Sequence, residues 1–280
     1  VKPTVSAARL YGKNRVAAES FTSGNLTWNE HPGMLKPTAD FYFARGVTYP
    51  VFQAYTHTPW KDLKPPGTSF GGNTGTPFLR GQTWWSKMPE FTKYLARCSY
   101  MLENGRPVSD VLFYLGDEIN HKPRQNRPFP DGYQYDYCNT DILLHRLSVR
   151  NGRIETPEGL RYRLLWLPDT RKMLPETVEH LIALVKDGAI IVGNPPENVA
   201  TLSGGIGAEA RFGKAVKTLW GETAKSPRQL GKGMILSNVT IDEALDKLKV
   251  EPDLTIEKVH SGRRDDLQWI HRQNNTEDWY

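Results

Sequence analysis

NRVAAESFTSGNLTWNEH, residues 14–31, sets a short apolar run, residues 15–18, directly before Glu19 and the mostly polar segment 20–24. A strand that stops where polar residues begin delivers an acid to its rim. Lys13-Asn14 reads as a turn and residues 3–11 (PTVSAARLY) as a helix, so the local order is helix, strand, loop. That order belongs to a (β/α) barrel, whose sites gather at the C-terminal ends of its strands. Ala18, Phe21 and Trp28 are expected to desolvate Glu19 in part, which moves a carboxyl toward acid or base work. The plain alternative pairs Glu19 with Arg15 or Arg45.

The 280 residues are enough for two packed domains, and 8 Trp supply both core and spare rings. A soluble globular protein is expected, because no run approaches the roughly 18 apolar residues of a membrane span. The start, VKPTVSAARL, lacks the apolar centre of a signal peptide. The chain reads as cut at both ends: it starts inside a helix, and it stops at Trp279-Tyr280 where a partner strand for LQWIHRQN should continue. The net charge of +5 is spread over 36 basic and 31 acidic residues without basic blocks, so no nucleic-acid partner is expected. Cys98 and Cys138 show no metal-ligand spacing and are read as two buried thiols.

Residues 35–45 (LKPTADFYFAR) read as a helix entered through Pro37 and stopped at Gly46. The β-branched and aromatic run 48–55 (TYPVFQAY) is a second strand, ending in His57 and Trp60. Residues 58–85 form a long Gly-rich loop whose Trp60, Phe70, Phe78, Trp84 and Trp85 argue for order. Such a loop suits a sugar cleft, with indoles stacking on pyranose faces and Asn73, Arg80 and Gln82 meeting hydroxyls. Alternatively, Trp84 and Trp85 anchor the following helix, residues 87–103, which stops at Asn104-Gly105. Arg106-Pro107 reads as a hinge. The domains expected are 1–105, the C-terminal portion of the barrel; 106–250, an α/β unit; and 251–280, the start of a β-rich region.

The second unit opens on the apolar strand 111–115 (VLFYL), suited to the centre of a parallel sheet. A polar loop 116–133, a helix near 140–147, and strands within 148–168 around Pro157-Glu158-Gly159 follow. A helix over 174–187, a strand at 189–192, a helix through Trp220, a strand at 233–237 and a helix at 240–250 with a Thr240/Glu243 capping box complete a doubly wound sheet. Residues 256–259 and 267–272 read as antiparallel strands, with a charged turn 260–266 between them. Neither Gly116 nor Gly193 opens a G-x-G-x-x-G phosphate fingerprint, though Gly116-Asp117-Glu118 lies at a strand end.

AESF, TWNEHPGMLKPTADFYFARGVTYPVFQAYTHTPW, RGQTWW and KYLARCSYMLENGRPVSDVLFYLGDE together resemble glycoside hydrolase family 106, the bacterial α-L-rhamnosidases. The likeness runs from Ala7 to at least Gly205 and on to the WIHR segment at Trp269. It implies an α/β fold: the C-terminal part of a (β/α) barrel, then a doubly wound flavodoxin-like or amidotransferase-like domain. It implies hydrolysis of terminal α-L-rhamnosyl linkages with inversion, two glutamates and a dependence on Ca2+. Glu19 matches the general base and Glu30 is its rival; Trp28, His31, His57, Trp60, Arg80, Trp84 and Trp85 are the substrate-binding candidates. The acid and most calcium ligands are expected upstream of Val1, in the remaining barrel of a parent chain that also continues into β domains downstream. The isolated chain is therefore expected not to hydrolyse rhamnosides. A carbohydrate partner and an extracytoplasmic location follow from the family, beside the expectation of no nucleic-acid and no membrane partner drawn from charge and hydropathy. The competing readings are a retaining β-galactosidase-like barrel glycosidase and a non-catalytic carbohydrate-binding segment, the first separable by product stereochemistry.

Overall fold

The computed structural model describes residues 1–53, 55–59, 73–117, 129–168, 171–255 and 267–280. The chain opens with α1 (Lys2–Leu10), β1 (Ala17–Ser20), α2 (Pro32–Phe43) and β2 (Tyr49–Phe52). β1 and β2 pair in parallel, Glu19 opposite Val51, with α2 as their crossover. The strand starts and ends two residues later than the run 15–18, so Glu19 lies within it. α2 starts five residues before the expected entry, at His31-Pro32, and carries Pro37 inside. Pro37 is the sixth residue of α2, past the four N–H groups that lack an intrahelical partner, so it leaves the Gly33 carbonyl without its helical donor. After a short 3-10 turn, α3 (Met88–Glu103) packs Phe91, Leu95 and Leu102 against Leu35, Ala39 and Phe43 of α2.

α1 does not turn its apolar side to that core. Leu10 enters the larger core, and Ser6 and Arg9 reach the buried carboxylate of Asp136 at 3.1 and 3.2 Å. Asp136 sits on the strand Tyr135–Cys138 of the larger sheet, so the first helix packs against that sheet.

Past β3 (Arg106–Pro107), the second unit contributes β4 (Val111–Tyr114), β5 (Tyr135–Cys138), α4 (Thr140–Arg146), β6 (Ser148–Arg150), β7 (Arg153–Glu155), β8 (Arg161–Tyr162) and β9 (Leu164–Trp166). It continues with β10 (Lys172–Met173), α5 (Pro175–Asp187), β11 (Ile190–Val192), β12 (Asn198–Val199), α6 (Gly205–Trp220), β13 (Arg228–Leu230), β14 (Gly233–Leu236) and α7 (Ile241–Lys247). The six-stranded sheet runs β13-β14-β11-β9-β4-β5, parallel except for the edge strand β13. Its parallel strands, counted along the chain, lie in the order 2-1-3-4-5, the doubly wound arrangement of flavodoxin-like sheets. β5 lies between the polar loop 116–133 and the helix near 140, where the sequence suggests no strand, because Tyr135, Asp136 and Tyr137 break the apolar run expected of a central strand. It is an edge strand, and its one acid is neutralised by α1.

Thr240 and Glu243 form the expected capping box on α7. β6 and β7 join through Asn151 and Gly152, both at positive φ (52° and 71°), which is the type I′ hairpin that Asn-Gly encodes. β7 then pairs with β8 across the expected Pro157-Glu158-Gly159 turn. Gly233 has no room for a side chain: a Cβ there would lie 2.2 Å from the Ala189 carbonyl oxygen. Cys138 is fully buried and Cys98 half-buried.

At the end of the chain, β15 (Arg272–Gln273) and β16 (Asp278–Trp279) form a hairpin that pairs with β3. Arg106-Pro107 is therefore a paired strand and no free hinge. Of the expected strand 267–272 only its last residue is in β15; the strand expected at 256–259 and the turn 260–266 lie outside the described residues. Arg272, buried, donates to the Asn104 and Gly105 carbonyls at 2.6 and 2.8 Å. His271 is buried between Asp253 (Nδ1, 2.7 Å) and Asp278 (Nε2, 2.8 Å). Among the described residues, no helix is long and apolar enough to cross a membrane.

Candidate active site

β1 ends at Ser20, and the chain then turns sharply, Phe21 standing at φ 65°. An aromatic residue in the left-handed region carries about 1–3 kcal/mol of strain, held only where surrounding contacts impose it. Here the contact is the ring, which packs on Phe52, Phe78 and Phe91 with centroids 5.2–6.2 Å away. Phe21 is thus spent on the core. Ala18 faces away from Glu19 by strand alternation, so Glu19 stays exposed and the expected desolvation is not found.

The plain alternative for Glu19 also fails. Arg15 makes a two-pronged pair with Glu103, 2.9 Å on each arm, and Arg45 lies over the Phe41 ring at 3.8 Å. Glu19 accepts a 2.6 Å hydrogen bond from Thr22 Oγ1 on Oε1, and no cation pairs with it among the described residues. Its second oxygen faces solvent chemistry without a protein partner among those residues.

The next turn brings a different carboxylate into play. Ser23 and Gly75 bridge through paired backbone hydrogen bonds of 2.7 and 3.0 Å, and Leu26 N–H and Asn25 are held by Asn73. This locks the 20s loop to the strand of loop before Phe78 and presents Trp28, itself at φ 59°, beside Glu30. A cavity of about 450 Å³ opens there, lined by Trp28, Glu30, His31, Gln82, Trp84 and Lys87 among others. Gln82 is held by the Pro77 carbonyl at 3.1 Å, which fixes its amide at the cavity wall.

Glu30 is poorly satisfied. Its Oε2 is buried without a partner among the described residues, and Oε1 meets only Ser23 Oγ at 3.4 Å. Ser23 has one hydroxyl proton, and the Asn25 carbonyl takes it at 2.5 Å. A buried acceptor left unmade costs roughly 1–3 kcal/mol, more when charged. Thr22 holds Glu19 and the adjacent Ser23 touches Glu30, so one dipeptide relates the two carboxylates.

Not all the sequence candidates gather here. Trp28, Glu30, His31 and Trp84 do. Trp84 also packs edge-on against Phe78, so it anchors the core and lines the cavity at once. Trp85 leans on Tyr55, His57 is exposed, and Arg80 donates to the Thr58 carbonyl at 2.7 Å, closing its own loop. None of these three lines the cavity, and Trp60 lies outside the described residues. Lys87 and Thr83 were missed, although their place beside Trp84-Trp85 was a usable signal.

In the second unit the ligand crevice of a 2-1-3-4-5 sheet falls between β4 and β9. Asp117 stands there with both oxygens occupied: Oδ1 accepts from Tyr114, Thr140 and Thr177, and Oδ2 from the Leu174 N–H at 2.8 Å. These bonds tie the start of α5 to the end of β4. Glu118 lies outside the described residues.

The match to known proteins covers this whole arrangement: the family described as alpha-L-rhamnosidase, Glyco_hydro_106, spans residues 1–280. The chain belongs to glycoside hydrolase family 106. A solved rhamnosidase from Novosphingobium sp. PP1Y superposes with a TM-score of 0.88 at 31% identity, over 98% of this chain and 26% of that one. A curated relative, named putative beta-glucuronidase, from Formosa agariphila, is 35% identical over 279 residues, 98% of this chain. The chain spans 22% of that relative's length. For family 106 a calcium ion is expected from the resemblance, and calcium takes roughly six to eight oxygens. Among the described residues no three His, Cys, Asp or Glu side chains converge on such a site, and Glu30 offers one orphan oxygen. These residues alone do not fit the ion, and no step below runs through it.

Proposed function

We propose that the chain is the closing part of the catalytic (β/α) barrel, with its following α/β domain, of an inverting α-L-rhamnosidase acting on polysaccharide or glycoside side chains. The observation that carries this is a family match over all 280 residues that includes a parallel βαβ unit with an unpaired glutamate on its first strand. Inversion needs one carboxylic acid to protonate the glycosidic oxygen and one carboxylate to take a proton from water attacking the opposite face of the anomeric carbon. Glu19 suits the base. Thr22 orients one oxygen and the other is left for water. Trp28 and Trp84 offer ring faces to a sugar, while Glu30, His31 and Gln82 offer hydrogen bonds to its hydroxyls. The proton donor, the Ca2+ ligands and the remaining barrel strands then come from the rest of the parent protein, and the isolated chain is inactive. An extracytoplasmic setting suits a polysaccharide substrate.

The test is turnover of an aryl α-L-rhamnoside by the complete polypeptide and by Glu19→Gln. Loss of about 100- to 10,000-fold in kcat with binding retained is the expected result; wild-type turnover by Glu19→Gln removes it from the base role. A first-formed β-anomer supports inversion, retention supports the galactosidase-like reading, and a chelator tests calcium. The name of the Formosa agariphila relative favours a second reading, a uronic acid as the sugar released. An aryl β-D-glucuronide run in parallel decides between them.

A further inference from the structure

The three-stranded sheet of β6, β7 and β8 has one buried face and one outer face. Ile154 and Tyr162 point into the core and are fully buried, and Val149 packs against the same cluster. By alternation, Arg150, Arg153, Glu155, Arg161 and Arg163 face outward. The register sets Arg150 opposite Arg153 and Glu155 opposite Arg161. Arg163 follows β8 directly, and its charge acts on Arg153, so Arg150, Arg153 and Arg163 lie near one another on this side of the sheet.

Two acids serve these four cations. Arg161 pairs with Glu155 at 2.7 Å and Arg163 with Asp110 at 3.2 Å. Arg150 and Arg153 have no acidic partner within salt-bridge reach among the described residues, although each faces the other directly. Like charges directly opposite one another destabilise a sheet, so the sequence maintains a feature that works against its own hairpin. Arg153 is also half-buried, and burial, then Arg163 beside it, lowers its pKa from the ordinary arginine value. The guanidinium groups of Arg150 and Arg153, with no acidic partner among the described residues, are complementary to oxyanions, which arginine grips with two parallel hydrogen bonds.

We propose that this arginine cluster is a binding surface for an acidic glycan, one whose sugars carry carboxylate or sulfate groups. It is built on a different sheet from the cavity at Glu30. The choice of a glycan over other polyanions rests on the glycoside hydrolase reading and on the absence of basic blocks along the sequence. Such a surface would hold a charged polysaccharide while one of its branches is processed elsewhere on the protein.

The experiment is affinity electrophoresis of the complete polypeptide in gels containing polygalacturonate, dextran sulfate or neutral dextran, with single-stranded DNA as competitor. Retardation by one or both acidic polymers and none by dextran is expected, and the two acidic gels separate carboxylate from sulfate recognition. Arg150→Gln/Arg153→Gln weakens binding about tenfold, with an unchanged or higher Tm. The charge-matched variant Lys214→Gln/Lys247→Gln, on α6 and α7, leaves binding within about twofold. Equal weakening by both variants would reduce the effect to net charge and overturn the proposal. So would absence of retardation, or DNA binding tighter than either glycan. Binding is read without turnover, so an inert enzyme that still binds acidic glycan counts against the catalytic reading alone.

Discussion

Replacing Glu30 with methionine should make the protein more stable and less active at the same time. The side chain of Glu30 keeps Oε2 buried with no donor among the described residues, and Oε1 faces a serine whose proton is already given to Asn25. A Cβ on Gly75 would lie 3.2 Å from Oε1, so the Gly75 backbone covers that oxygen closely. Methionine nearly preserves the volume and removes both oxygens. The relief is the unmade hydrogen bond, about 1–3 kcal/mol. For a protein of this size each kcal/mol moves Tm by about 2–4 °C, so a rise of roughly 2–10 °C is expected. Thermal unfolding followed by near-ultraviolet circular dichroism reads it, because Trp28 and Trp84 border the site. Turnover of the complete enzyme should fall in parallel, the signature of a group kept for function against its cost in stability. A Tm that drops by several degrees with turnover intact would refute the reasoning, since it would mean that Glu30 has a structural partner.

Two further outcomes follow from buried contacts. Asp136→Asn should cost about 3–5 kcal/mol in a urea titration, because it leaves the buried Arg9 without its counter-charge; a midpoint like that of the wild type would show that Arg9 finds another partner. Burial opposes the charge on Asp136, but Arg9 and Lys2 outweigh it and hold the carboxyl below its ordinary 3.8. A carboxyl depressed in the folded state contributes stability that is complete above about pH 4 and is lost as pH falls below it, so the acid limb of the stability profile should flatten in Asp136→Asn. Gly233→Ala should cost about 3 kcal/mol or more, since its Cβ would meet two carbonyl oxygens at 2.2 and 2.4 Å; equal denaturation midpoints would contradict the packing.

The parallel strands were legible where runs were uniformly apolar. Val111–Tyr114 and Ile190–Val192 are almost wholly buried, and a short continuous apolar run bounded by turn residues marks such segments. β5 escaped because its aspartate looks polar until α1 folds over it, a contact 127 residues away in sequence. The β6–β7 hairpin was available in Asn151-Gly152, and passing over it hid the cross-strand pairing of Arg150 with Arg153. At the site, the sequence reading centres the stretch 14–31 on a partly desolvated Glu19, and the structure differs on burial. Glu19 is open to solvent, and the enclosed carboxylate is Glu30.

The sequence by itself determined the α/β class, the helices with their capping box, the absence of a nucleotide fingerprint and the family. Each of these is written in neighbouring residues, in the spacing of apolar side chains or in long runs of identity. Only the tertiary structure decided which charged groups are satisfied. Arg15 goes to Glu103, Arg9 to Asp136 and Ser23 to Asn25, leaving Glu30 and the Arg150–Arg153 pair without partners among the described residues. Satisfaction depends on what the fold brings alongside a group after every competitor has been served, and no local pattern carries that information.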